Sequence, residues 1–388
     1  MTILVLGSGL MGPAAAFNAM IDPQVDAVTV CDLSDEQLNA CRARLEGLPG
    51  THKVRYQKLD LNNRSAAIAV MADCQAGVAA LPRTASLLAI PSALEAGLPL
   101  MDLTRIPDTD LAALKAQYPQ AAGFVVLGCG LEPGLTEILA RNLGERLDQV
   151  DELHIKCGGI PAHPMPPLNY KIVFGGNRLP FRESDAPVVD DGHLRLVPRY
   201  SGVEFTQFKG VGQCEAWHEG FMPWLLDLDA FKHLHTGTQK TIRWPGYAAT
   251  VTVLKNLGLL SETPIQVDGA TVIPKHVVDT VLYEQVKMLP EDRDITLFRV
   301  EVSGQKQGLP AHLRADLIDR FDEQCGFTSM ARTTAFTAAI VARMCGRGEL
   351  SHPGMPFTTP EQMITGTRFD TLIRELSTMN IRFDITQS

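Results

Sequence analysis

The clearest chemistry in the chain lies at its start. Gly7-Ser8-Gly9-Leu10-Met11-Gly12 follows the apolar run 2–6 and precedes Pro13. Gly7 permits a tight turn, Gly9 removes the side chain that would bar a pyrophosphate, and Gly12 lets a helix pack against the strand before it. The phosphates then meet free N–H groups where the helix dipole favours negative charge, with Ser8, Leu10 and Met11 lining the same turn. Pro13 suits the first helical turn. Three spaced glycines alone are a weak signal, but here the context is complete. A second apolar run, 27–31, ends at Asp32, 20 residues beyond Gly12, the spacing of a ribose-binding acid. That carboxylate accepts both ribose hydroxyls and repels a 2′-phosphate. Leu33 and Ser34 supply no arginine, so NAD is favoured over NADP.

These residues need a sheet to hold them, and the next hundred residues supply one. Strand patterns at 54–59, 77–81, 98–103 and 123–127 alternate with helical stretches near 34–48, 63–72 and 84–96, which predicts a doubly wound parallel sheet. Ligands lie at the carboxyl ends of such strands. This makes Asp60, Leu61, Leu81, Pro82, Arg83 and Thr104 rim residues for the coenzyme and Asp102 a rim residue for substrate, with loop capping the competing role for Asp60 and Asp102.

Past Gly128 the pattern changes. A glycine-dense loop, Gly128-Cys129-Gly130-Leu131-Glu132-Pro133-Gly134, leads into a helix at 135–147. Strand-like stretches then follow at 153–157, 170–174, 193–198, 204–208 and 213–218, separated by turn signals, as in an antiparallel sheet. Helices are expected over 247–257, 275–287, 329–345 and 360–379, with a further strand at 296–302. The expected organisation is a nucleotide-binding domain at 1–128, an α+β domain at 129–325 with a mostly antiparallel sheet, and C-terminal helices at 326–388 packing back on the first domain. Substrate is expected in a cleft between the two domains.

Composition excludes several classes. The 388 residues carry 35 Lys+Arg against 44 Asp+Glu, a net charge of −9, which argues against nucleic acid or an anionic membrane as partner. Eight cysteines without a C-x-x-C pair read as reduced thiols in a cytoplasmic protein. Residues 1–21 are uncharged and long enough to span a bilayer, but they lack a basic flank and are interrupted by glycine and proline. They read as a buried strand entering a helix. His233-Leu234-His235 would place two imidazoles on one strand face with no third ligand at metal spacing, so no metal is expected.

Several blocks together resemble the saccharopine dehydrogenase superfamily, most closely its lysine 6-dehydrogenase branch. They are Gly7–Gly12, Gly130-Leu131-Glu132-Pro133-Gly134-Leu135, Gly158-Gly159-Ile160-Pro161 with Pro166-Pro167-Leu168-Asn169-Tyr170-Lys171, Arg243-Trp244-Pro245-Gly246-Tyr247, and Met330-Ala331-Arg332-Thr333-Thr334. The resemblance spans nearly the whole chain. It implies a Rossmann domain, a dimerising α+β domain, a homodimer, and oxidation of a C–N bond by a nicotinamide cofactor. In the lysine branch the ε-amine of L-lysine becomes an imine, then a semialdehyde with release of ammonia. The chain departs from the family pattern at Gly175-Gly176-Asn177-Arg178-Leu179-Pro180, which leaves the substrate open, with saccharopine or a carboxylated polyamine as the alternatives.

Such chemistry needs a neutral amine nitrogen, hence a base or a desolvating pocket. Glu132, His163, Tyr170 and Lys171 are the candidate proton handlers. Arg243, with Tyr247 beside it, is the candidate for a substrate carboxylate. The competing roles are bland ones: Lys171 as a solvated strand residue, His163 as a turn cap, and Trp217, Trp224 and Trp244 as core aromatics. From another class altogether, the chain could be a catalytically silent NAD-binding sensor or scaffold.

Overall fold

Four of the five residues of β1 (Thr2–Leu6) are buried, and so is every residue of α1 (Gly12–Met20), so the uncharged N-terminal stretch is a buried strand and helix. The computed structural model describes residues 1–174, 176–352 and 354–388; Gly175 and Pro353 lie outside them. The chain continues as β2 (Ala27–Asp32), α2 (Asp35–Leu45), β3 (Val54–Lys58), α3 (Arg64–Ala72), β4 (Ala76–Ala79), α4 (Arg83–Ala96), β5 (Pro99–Asp102), α5 (Asp108–Gln117), β6 (Phe124–Leu127) and α6 (Leu135–Gly144). Next come β7 (Gln149–Pro161), β8 (Ala186–Asp190), β9 (His193–Val197), β10 (Glu204–Phe208), β11 (Gly212–His218), β12 (Thr236–Arg243), α7 (Tyr247–Asn256), β13 (Ile265–Val267), β14 (Ala270–Val272) and α8 (Pro274–Val286). The chain ends with β15 (Asp294–Lys306), β16 (Leu309–Arg320), α9 (Ser329–Gly346), β17 (Phe357–Thr358), α10 (Pro360–Met363), α11 (Thr367–Thr378) and β18 (Asp384–Gln387). No helix among the described residues is long and apolar enough to cross a membrane.

The first unit comprises Met1–Ile138, Glu323–Phe327 and Ala331–Ile381. Its seven strands run parallel in the order β3-β2-β1-β4-β5-β6-β17. The order reverses between β1 and β4, and such a switch point opens the crevice where dinucleotides bind. The second unit comprises Leu139–Asp322, Thr328–Met330 and Arg382–Ser388. Its sheet runs β10-β11-β12-β7-β15-β16-β18, with β8 pairing β12 and β9. All its pairings are antiparallel except β12 with β7.

The boundaries differ from the sequence expectation near residue 138, around 323–330 and at the C-terminal end. The glycine-dense loop to Ile138 belongs with the nucleotide-binding unit because its amides bond back to the ends of β5. The last residues join the second unit as strand β18, which pairs β16. Residues 170–174 form no strand, only an isolated bridge from Ile172 to Lys287. The preceding proline cluster cannot donate to a ladder, and Leu168, Tyr170 and Ile172 turn into an aromatic core instead. The expected single helix at 360–379 is split at Gly366, whose φ of 54° leaves the helical region. His233 and His235 precede β12 in a turn rather than lying on one strand face.

A buried charge cluster ties α1, α9 and α11 together. Arg343 bonds Asp22 and reaches Asn18 at 2.9 Å, while Arg347 reaches Asp22 at 3.0 Å and Glu375 at 2.8 Å. Burial pushes the Asp22 carboxyl upward, but the Gln24 amide and the two guanidinia outweigh it and hold the carboxyl below its ordinary value. Removing one partner strands the others, so Asp22→Ala is expected to cost about 3–5 kcal/mol in urea unfolding. A cost below about 1 kcal/mol would show that the cluster contributes nothing net.

In the second unit, Asp294 caps α9: its two carboxylate oxygens accept the Ser329 and Met330 amides at 2.7 and 2.9 Å. Burial pushes this carboxyl up to about 6, against the pull of those amides and with help from the neighbouring Asp319 charge. A raised carboxyl favours the fold only while protonated, a benefit present below 3.8 and lost as pH rises through about 6. Asp294→Asn removes the charge and keeps one of the two amide bonds. Its stability relative to the native chain should therefore gain about 2 kcal/mol between pH 4 and 7, read from paired denaturation curves. A difference independent of pH would refute this.

Candidate functional site

In the first unit, the turn after β1 has the shape a dinucleotide needs. Gly7 sits at φ 89°, and a Cβ there would lie 2.4 Å from the Ala80 carbonyl oxygen. A Cβ on Gly12 would come within 2.0 Å of the Gly7 carbonyl oxygen, so helix and strand touch at that point. Gly9 differs: a Cβ there would meet nothing within 4 Å. The bare backbone of Gly9 borders open space, as a cradle for phosphates requires, and α1 starts behind it without a side-chain cap. Leu10 is exposed beside it and Met11 partly so.

Asp32, at the end of β2, is fixed by this turn. Its Oδ2 accepts the Ser8 amide at 2.7 Å and the Ser8 hydroxyl at 2.8 Å, and its Oδ1 accepts the Ser34 amide at 3.0 Å. Ser8 is buried, so its hydroxyl serves Asp32 rather than facing the open side of the turn. Asp60 is exposed after β3, and its Oδ1 accepts the Asn62 amide and side chain at 2.9 Å each, bonds that hold the carboxyl below its ordinary value. Leu61 and Leu81 are half-buried, whereas Pro82 and Arg83 are exposed at the start of α4.

The ends of β5 and β6 form the other half of the rim. Asp102 is 0% exposed, so the substrate contact expected of it from sequence does not occur in this structure. The reason is its place on β5, between β4 and β6, with its carboxylate turned inward. Oδ1 accepts the Thr104 amide at 2.8 Å, the Thr104 hydroxyl at 2.9 Å and the Ser86 hydroxyl at 3.2 Å. Oδ2 has no partner. Burial pushes the Asp102 carboxyl up to about 6, partly offset by those three bonds.

The loop 128–134 hangs from the same strands. Gly128 and Cys129 donate to the Thr104 and Asp102 carbonyls at 2.9 and 2.7 Å. Gly134 donates to the buried Glu137 carboxylate at 2.6 Å, which also accepts the Thr136 hydroxyl. Glu132, joined to Pro133 by a cis peptide, is half-buried in this fixed loop. Burial pushes the Cys129 thiol well above its ordinary range, so it stays protonated and is no nucleophile.

In the second unit the sheet brings together residues far apart in sequence. Arg243, at the end of β12, pairs in register with Glu215 on β11, so both project from one face together with Trp217. Glu215 accepts the Gly246 and Ala248 amides at 2.8 and 2.7 Å and thereby fixes the start of α7. Tyr247, the first residue of that helix, stacks on Trp217 with ring centres 5.1 Å apart and meets Tyr170 edge-on at 5.4 Å. The Arg243 guanidinium lies 4.7 Å from the Tyr170 ring centre and 5.7 Å from that of Tyr247.

Arg243 is 6% exposed, and among the described residues it forms no ion pair. Its Nη1 donates to the Ile242 carbonyl at 2.8 Å. Among the described residues Arg243 Nε and Trp217 Nε1 lack hydrogen-bond partners, and the Tyr170 hydroxyl is turned toward the Arg243 guanidinium. A buried cation surrounded by unused donors is an anion site by its chemistry. Burial pushes the Tyr170 phenol up to about 12 despite the nearby guanidinium, so it donates a hydrogen bond rather than accepting a proton.

The other two candidates lie elsewhere. Lys171 is buried, 3.4 Å from Asp292 and 3.1 Å from the Lys287 carbonyl oxygen, so its ammonium is spent on that pairing. His163 is exposed in the turn after β7. Sequence reasoning passed over Glu215 and treated Trp217 as a plain core residue. The alternation along β11, which sets both on the face of Arg243, was the available signal.

Comparison with known proteins places both parts of the chain in one family. Residues 3–127 match the saccharopine dehydrogenase NADP binding domain, and residues 130–381 match the saccharopine dehydrogenase C-terminal domain. The chain belongs to the saccharopine dehydrogenase family. It is therefore an oxidoreductase acting on a CH–NH donor with a nicotinamide dinucleotide. The apo saccharopine dehydrogenase (L-Glu forming) of Saccharomyces cerevisiae shares the fold of this family member with a TM-score of 0.81. It is 18% identical, and the match covers 100% of this chain and 99% of that one. The carboxynorspermidine synthase of Vibrio alginolyticus is 20% identical over 79% of each protein.

Proposed function

We propose that this member of the family is an NAD(H)-dependent dehydrogenase of a secondary amine that bears a carboxylate. The observation that carries the reading is Arg243, a buried guanidinium with no counter-ion among the described residues, beside the Tyr170 hydroxyl and the unused Trp217 Nε1 donor. A substrate carboxylate would supply the missing charge, and the aromatic walls would exclude water and strengthen the pair. The two named relatives support it: one acts on saccharopine, the other makes carboxynorspermidine, and both compounds are secondary amines with carboxylates.

When bound, the dinucleotide supplies the hydride acceptor or donor. The chain's own residues do the rest. Hydride can leave the carbon only when the amine nitrogen is neutral, and Glu132 is the carboxylate proposed to hold that proton, in a loop fixed by Glu137. Asp32 supports NAD over NADP: its carboxylate repels a 2′-phosphate, and the nearby Lys58 is already paired with Asp35.

Purified protein should oxidise saccharopine or carboxynorspermidine with NAD and release an amino acid or diamine. Turnover of L-lysine with ammonia release would instead establish the lysine-deaminating reading. NADH formation with no secondary amine and no amino acid would overturn the proposal.

A further inference from the structure

The buried carboxylate of Asp102 has no role in the reading above, yet it is placed as a fixed part of the coenzyme rim. Its carboxylate takes three donors on one oxygen and none on the other. One of those donors is the hydroxyl of Thr104, a half-buried residue at the carboxyl end of β5. A threonine hydroxyl has one proton and two lone pairs. With its proton spent inward on Asp102 and Ser86 lying 3.4 Å away on the same side, Thr104 can only accept a hydrogen bond on its open side. The backbone around it is equally fixed: Leu103 donates to the Ala79 carbonyl, and the Thr104 carbonyl accepts Gly128.

We propose that Asp102 is a positioning residue that turns Thr104 into an obligate acceptor for a hydrogen-bond donor on the nicotinamide half of the coenzyme. The inference rests on the dinucleotide reading of the first unit. The adenosine half is served separately, by Asp32 and the Gly7–Gly12 turn. Asp102 touches no ligand and acts only through the orientation of Thr104. The geometry requires a hydroxyl at position 104, so serine serves and valine, of the same shape, does not.

The test measures binding of NADH and of ADP, which lacks the nicotinamide half, to the full chain and to Asp102→Leu, which removes the acceptor, Thr104→Val, Thr104→Ser and the Asp102→Leu/Thr104→Val double variant. Thr104→Val and Asp102→Leu should each weaken NADH binding about fivefold or more, the double variant should be no weaker than the worse single, and Thr104→Ser should bind like the native chain. ADP affinity should be unchanged throughout. Additive losses, equal losses for ADP and NADH, or full NADH affinity in Thr104→Val would each overturn the inference. Should Asp102→Leu fail to fold, the Thr104→Val and Thr104→Ser pair with both ligands still decides it. A native chain that binds neither NADH nor ADP would contradict the coenzyme reading itself, an outcome distinct from failure of this inference.

Discussion

Gly9→Ala should leave the fold intact and abolish most coenzyme binding. A Cβ on Gly9 meets no protein atom within 4 Å, so the folded chain has no reason to resist it. The same methyl group would occupy the space in which a pyrophosphate must approach bare backbone. Losing two charge-assisted bonds to phosphate weakens NADH binding by roughly 100-fold, measured by fluorescence titration. Gly12→Ala provides the contrast. Its Cβ would sit 2.0 Å from the Gly7 carbonyl oxygen, so this variant should lose thermal stability as well as binding. Unchanged NADH affinity in Gly9→Ala would remove the phosphates from this turn.

Arg243→Met should have the second large effect, and its signature is a split between kinetics and stability. The guanidinium is buried without a counter-ion among the described residues, so the free protein bears its desolvation cost with little Coulombic return. Replacing it with an apolar side chain of similar length should change unfolding stability by less than about 1 kcal/mol, because the lost cation–π contacts to Tyr170 and Tyr247 offset the relief. Activity should fall steeply. For a carboxylate-bearing amine, kcat/KM should drop on the order of 100- to 1,000-fold, whereas an amine without that carboxylate should react equally with both forms. A stability loss of several kcal/mol with unchanged kinetics would make Arg243 a structural residue.

The two halves of the molecule were legible to different degrees, for physical reasons. The parallel sheet was readable because its inner strands β1, β4 and β6 are covered on both faces and appear as continuous apolar runs, and because Gly7–Gly12 and Asp32 satisfy local backbone rules. The second sheet hid its strands. Leu309–Arg320 alternates buried Leu313, Ala315 and Leu317 with charged Arg314 and Asp316, a period of two that is easily taken for a polar loop. Residues 170–174 looked extended but follow prolines, and their side chains serve the aromatic core rather than a ladder.

Among the candidate site residues, Arg243, Tyr170 and Tyr247 were named from sequence, and the structure brings them together. What local patterns could not supply was the lateral register that places Trp217 and Glu215 beside them. Asp102 was found at a strand end, as the fold rule predicts. The rule says nothing about which way a side chain turns, and this one turns inward.

The central claim is hydride exchange between a nicotinamide dinucleotide and a carbon bonded to nitrogen in a carboxylate-bearing secondary amine. The most direct measurement is to run the reductive direction with NADH deuterated at the transferable position and analyse the products by mass spectrometry. One deuterium should appear on the carbon next to nitrogen, in a product that retains both the amine and the carbonyl fragments. Deuterium found only in an alcohol, or in no product from any amine and carbonyl pair, would contradict it.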